Sequence, residues 1–145
     1  MSINRIGVFV IALAVGVLAA ACSFGPPPSC GENIGGTADT VKFEQYFTNM
    51  NLVNEASGQP GPAGENGMEF SPGESLAIQV ESKSAVELRA CIQPLSGGNK
   101  IAFDQTKTLS PGQGTVSIGT FEQGKYVIRV IVGDILVKNF PFVIK

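Results

Sequence analysis

From Ser71 to Ile144 the chain repeats one cadence, and this cadence limits its fold more than any other feature. Short runs in which apolar and polar residues alternate end in Gly, Pro, Ser or Asn. Ser71-Pro72-Gly73-Glu74 leads into Leu76, Ile78 and Val80. Val86, Leu88, Ala90 and Ile92 then alternate with Glu87, Arg89, Cys91 and Gln93. Ser96-Gly97-Gly98-Asn99 turns the chain into Lys100–Asp104, and Ser110-Pro111-Gly112 precedes Val116, Ile118 and Thr120. Lys125–Val132 meets Ile135–Ile144 across Gly133-Asp134, a two-residue hairpin loop. In the last run Leu136, Phe140, Phe142 and Ile144 fall on one face. A period of two marks strands with one buried face. Such strands at roughly ten-residue spacing predict an all-β fold, an antiparallel seven-stranded sandwich.

The first of the seven strands lies upstream, where Val41, Phe43, Gln45 and Phe47 alternate. Phe43, Tyr46, Phe47 and Met50 also fit the i, i+3, i+4, i+7 spacing of a helix. The strand reading is preferred because the rest of the domain is β. Asn54–Gly67 reads as a long loop with glycine at every third position from Gly58 to Gly67. A collagen helix needs three chains and many more triplets, so this is a Gly/Pro-rich loop.

Glu122-Gln123-Gly124-Lys125-Tyr126-Val127-Ile128 resembles the acid-x-Gly-x-Tyr-x-Cys segment of immunoglobulin domains. The resemblance spans about Val41 to Lys145 and implies an immunoglobulin-like or fibronectin-like sandwich. Ile128 takes the cysteine position and Leu88 that of the strand-C tryptophan, so the inter-sheet disulfide is missing. Tyr126 is expected to close a corner through its hydroxyl, a structural role.

At the other end, Arg5 precedes an apolar run, Ile6–Ala21, that closes on Leu18-Ala19-Ala20-Ala21-Cys22. A cation, an apolar stretch and small residues make an export signal. The run is shorter than the ~20 residues of a membrane-spanning helix. The small residues followed by cysteine resemble the lipobox of bacterial lipoproteins, although Ala19 stands where leucine is commonest in that family. The resemblance implies a signal peptide at residues 1–21 and lipid on Cys22, the two-chain anchor that stable membrane attachment requires. It also implies an exported location, with the outer membrane favoured in a Gram-negative cell because Ser23 follows the cysteine. Two other readings are a retained membrane helix and cleavage without lipid after Ala21.

Residues 22–37 read as a Pro/Gly-rich tether and 38–145 as the sandwich. Ser23–Gly36, if extended, spans roughly 40 Å. Cys30 lies in the tether, and Cys91 falls on the polar side of its strand beside Glu87 and Arg89. An outward cysteine in an exported protein is poorly explained as core filler. We therefore expect a Cys30–Cys91 disulfide, against the alternative of two free thiols.

Composition removes several chemistries. The chain has no histidine, so it holds no Ser-His-Asp or Cys-His nucleophile and no histidine-ligated metal. The signal carries one of the ten basic residues and none of the twelve acidic ones, leaving a mature charge of −3 without a basic cluster. That argues against nucleic acid as a partner. Gly73-Glu74-Ser75-Leu76-Ala77 approaches a nucleophile elbow but lacks its last glycine. Glu65, Asn66 and Glu69 are oxygen donors, yet their spacing matches no EF-hand. No metal or cofactor is expected.

The chain thus reads as a non-catalytic cell-envelope lipoprotein, held to a membrane through Cys22, whose sandwich meets an envelope or extracellular protein. The loop residues Asn54, Glu65, Asn66, Asn99 and Asp134 are the candidate contacts. The alternatives are a carrier or sensor of a small apolar ligand between the sheets and, further off, a Ca²⁺-dependent envelope enzyme.

Overall fold

Asp39 begins a helix where alternation predicts a strand. The computed structural model describes residues 30–31, 36–96 and 100–145, and α1 (Thr40–Tyr46) replaces the expected strand at Val41–Phe47. The Asp39 carboxylate accepts the backbone N–H of Lys42 at 2.9 Å, satisfying one of the donors a helix start leaves free. Phe43 and Tyr46, about one turn apart, pack against the core. The helical period was therefore the operative one up to Tyr46, and the extended chain begins at Phe47.

The strands are β1 (Phe47–Asn54), β2 (Ala63–Gly64), β3 (Gly67–Phe70), β4 (Leu76–Ser82) and β5 (Val86–Pro94). They continue as β6 (Phe103–Leu109), β7 (Gly112–Gly119), β8 (Gly124–Val132) and β9 (Ile135–Ile144). Nine strands among the described residues replace the expected seven. One sheet has the order β1-β4-β7 and the other β2-β3-β9-β8-β5-β6. All pairs are antiparallel except β3 with β9, so the larger sheet is mixed and not purely antiparallel.

The two extra strands lie in the segment read as a loop. Gly64 pairs with Gly67 around Glu65-Asn66, a two-residue turn too short and too polar to show an apolar alternation. Phe70 then carries β3 into the core beside Phe142, with ring centroids 6.5 Å apart. The fourth expected strand is also displaced: it runs over Phe103–Leu109, not Lys100–Asp104. β6 is an edge strand exposed on both faces from Asp104 to Thr108, so it has no apolar stripe to read.

Buried side chains of both sheets form one apolar cluster. Leu52, Ile78 and Ile118 of the smaller sheet and Leu88, Ile128 and Phe142 of the larger are all fully buried in it. Each such side chain contributes about 1.5–3 kcal/mol through removal from water. A bulge in β9 changes the face of one predicted core residue. Val130 pairs with Lys138 but Ile131 with Leu136, which leaves Val137 as the extra residue. Val137 joins the main core, and Leu136 moves to the outer side of the sheet, off the face it was expected to share with Phe140, Phe142 and Ile144.

Candidate functional site

Two opposite faces of the domain carry distinct chemistry. On the outer side of the β1-β4-β7 sheet, strand register aligns polar side chains in two rows. Asn49, Glu81 and Gln113 are partners across the three strands, and so are Asn51, Gln79 and Thr115. Their neighbours in sequence, Met50, Leu52, Ile78, Val80 and Val116, point into the core. The period of two therefore delivers all six polar groups to one surface, and every one of them is exposed. They line a groove of about 250 Å³.

The groove has built margins. The turn after β1 closes one end: Asn54 Oδ1 accepts from the backbone N–H groups of Ala56 and Ser57, each at 3.0 Å. Glu55 in that turn accepts a hydrogen bond from Ser117 Oγ of β7 at 3.0 Å. At the free edge of β7, Lys107 crosses from β6 and donates to the carbonyl of Thr115 at 2.6 Å. A lysine on an otherwise open edge discourages addition of another strand.

The outer side of the larger sheet is covered in part by the N-terminal segment. Cys30 and Cys91 form a disulfide with Cα atoms 5.8 Å apart. Cys91 is on the outer face as expected, yet it is fully buried, because Cys30 lies over it with Ile131 and Leu136. Arg89 donates to the Cys30 carbonyl at 3.0 Å and to both oxygens of Asp104 at 2.8 and 2.7 Å. Hydrogen bonding to Asp104 raises the Arg89 pKa above its ordinary value, against the lowering by partial burial. Further along, the Asn139 amide donates to the Gly36 carbonyl at 3.2 Å, and the Asp39 N–H to the Leu136 carbonyl at 2.8 Å. This face also carries Glu87, Lys125 and Arg129, the last donating to Gln93 at 3.1 Å.

The candidate loop residues do not converge. Asn54 is occupied structurally: besides its turn, its amide donates to Glu74 at 3.0 Å. It lies near the Ile144 end of β9, because Glu74 also holds Ser71, which follows Phe70, the partner of Ile144. Asp134 lies in the turn at the Ile135 end, where Gly133 supplies a positive φ of 61°. Ten strand residues separate the two ends, roughly 30 Å at strand rise. Glu65 and Asn66 are exposed in the β2–β3 turn, while Glu69 forms an ion pair with Lys145 at 2.6 Å. Among the described residues, no three Asp, Glu or Cys side chains are grouped to hold a metal ion. Cys22 and Asn99 lie outside the described residues.

The groove escaped the sequence reading because its residues belong to strands distant in the chain. Of its local signals, the alternating polar positions at Asn49 and Asn51 fell beyond the strand placed at Val41–Phe47. No protein-family model matches the chain, and no curated protein matches it either.

Proposed function

We propose that this protein is a lipid-anchored, non-catalytic envelope lipoprotein whose two-sheet domain is an interaction module. The observation that carries this reading is the Cys30–Cys91 disulfide. A buried structural disulfide belongs to an oxidising, exported compartment, and Cys30 follows the lipobox cysteine by only eight positions. The bond fixes where an anchor on Cys22 would join the domain, at the outer face of the larger sheet. It shortens the reach expected of the tether, since eight residues span no more than roughly 30 Å.

We further propose an immunoglobulin-like or fibronectin-like framework with β2 and β3 added. The order β1-β4-β7 against β6-β5-β8-β9 supports it. So does the Tyr126 hydroxyl, which donates to the Glu122 carbonyl at 2.9 Å as a corner tyrosine does. A carrier of apolar ligands gains no support from the groove, which is polar and lies outside the core.

The test is metabolic labelling with a palmitate analogue, followed by fractionation of wild type and Cys22→Ala. The expected result is a labelled, membrane-bound wild type and an unlabelled variant released from the membrane. An unlabelled, soluble wild type would overturn the anchored reading.

A further inference from the structure

The amide groove has a chemistry that selects among ligands. Asn49, Asn51, Gln79 and Gln113 each present an NH₂ donor and a carbonyl acceptor, and Thr115 presents a hydroxyl that does both. Among the described residues the only hydrogen bond these five side chains make is from the Met50 N–H to Asn49 Oδ1. The surface is therefore dense in donors and acceptors that have no assigned work in the fold. Among the described residues Glu81 is the one charged side chain in its lining. The outer face of the larger sheet is charged, with Glu87, Arg89, Lys125 and Arg129.

Several ligand classes fail against this lining. An apolar molecule would cover amides without giving them partners, which is costly. Anionic polymers meet Glu81 in the middle strand and no lining cation to compensate it. An extended peptide adding to the sheet at β7 meets Lys107, already bonded to the Thr115 carbonyl at the level of the second row. A neutral chain of hydroxyl groups fits, because each hydroxyl both donates and accepts and carries no charge for Glu81 to repel. The rows suit such a chain in size: three strands at ~4.8 Å spacing and two rows ~7 Å apart offer room for a short oligosaccharide.

The place of the groove agrees with that role. The disulfide brings Cys30 onto the outer face of the larger sheet, so the point at which an anchored segment would join the domain and the groove occupy opposite faces. We infer that the groove formed by Asn49, Asn51, Gln79, Glu81, Gln113 and Thr115 binds a neutral glycan chain and presents this site away from the membrane. The outward presentation rests on the anchored reading above, whereas the chemistry of the groove does not.

The experiment uses the full-length chain in mild detergent, titrated with cellohexaose and with the hexamer of N-acetylglucosamine while side-chain amide signals are followed by NMR. Saturable shifts are expected at Asn51, Gln79 and Gln113 with at least one of these sugars, at a Kd of about 1 mM or tighter. The double variant Asn51→Ala/Gln79→Ala removes only exposed side chains, so its backbone spectrum is expected to stay that of the wild type. It is expected to bind at least about tenfold more weakly, the loss of polar contacts in a groove of this kind. Thr106→Ala, on the far side of the larger sheet, is expected to bind as the wild type does. The inference is overturned by no saturable groove shift with either sugar, by equal binding in the double variant, or by tighter binding of a sulfated heparin hexamer. Palmitate labelling of the same preparation separates the two claims. Label without sugar binding sinks the groove alone, and sugar binding without label sinks the anchor alone.

Discussion

Arg89 reaches from β5 to the backbone carbonyl of Cys30, donating from Nη1 at 3.0 Å, while Nε and Nη2 grip Asp104 on the edge strand β6. One planar guanidinium thus joins the N-terminal segment, a central strand and an edge. Arg89→Lys keeps the charge but loses the fork that serves three acceptors together. The Arg89 and Asp104 side chains are 32% and 33% exposed, so solvent screening limits the pair itself to less than about 1 kcal/mol. Urea unfolding is expected to show a loss of about 1 kcal/mol for Arg89→Lys and a smaller one for Asp104→Asn, which leaves the Cys30 contact in place. The pH dependence follows from the raised pKa of Arg89. A base raised in the folded state contributes fully below its unfolded pKa and loses that contribution only as pH rises through the folded value. The difference between wild type and Arg89→Lys is therefore expected to stay constant from about pH 6 to 9. A difference that grows or vanishes within that window would show that another group is responsible.

The disulfide closes a loop with a sequence separation of 61. By chain entropy this contributes roughly 4 kcal/mol, less any strain. The Cys30→Ser/Cys91→Ser variant is expected to unfold at lower urea with a loss of about 2–4 kcal/mol, and intact mass of the wild type to lie about 2 Da below the dithiol value. Loss of protection in hydrogen exchange should begin around Ile131 and Leu136, which share the small cluster with the two cysteines. Unchanged stability would mean that the N-terminal segment is held by its hydrogen bonds alone.

How far the fold could be read in advance depended on whether a residue's partners are local. Val86–Ile92 and Lys125–Val132 are central strands with one core face, so their alternation is complete and legible. β6 is an overhanging edge, and DQTKT has no buried face to encode. The helix α1 was visible in the Phe43–Met50 spacing, and Asp39 was its overlooked start signal. Leu136 kept the expected parity, but a bulge at Val137, set by pairing with β8, reversed its face. The disulfide was legible because an apolar thiol on a polar face needed a cover. The groove was not, because Asn49, Gln79 and Gln113 become neighbours only through long-range strand register.

Tyr126 stacks on Phe142 with centroids 5.1 Å apart and packs against Phe121 at 5.4 Å, and its hydroxyl donates to the Glu122 carbonyl. Tyr126→Phe keeps the ring packing and removes the hydrogen bond alone. A net loss of about 1 kcal/mol is expected in urea unfolding. Tyr126→Leu also removes the aromatic stack and is expected to lose more, about 2 kcal/mol or above. Equal stability of wild type and Tyr126→Phe would show that the corner is closed by packing and that the hydroxyl contributes nothing.

Gly67, which opens β3, and Gly73, in the turn after it, allow steric overlap to be separated from backbone strain. Both have positive φ, 115° and 85°. A Cβ at Gly73 would meet nothing within 4 Å, whereas one at Gly67 would overlap the backbone carbonyl of Pro141 on β9. Gly73→Ala therefore carries only the conformational penalty, about 1 kcal/mol. Gly67→Ala adds a clash with backbone that cannot rotate away, beside the parallel pairing of Met68 with Phe142. It is expected to lose about 2–4 kcal/mol. The structural consequence is confined by topology: β3 is bonded on its other side only to the two-residue β2. Hydrogen exchange at Met68–Phe70 should accelerate in Gly67→Ala, while Leu76–Ser82 in the other sheet stays protected. Equal losses for the two variants would mean that β3 shifts to accommodate the methyl group, and that the parallel pair contributes little to holding Phe70 in the core.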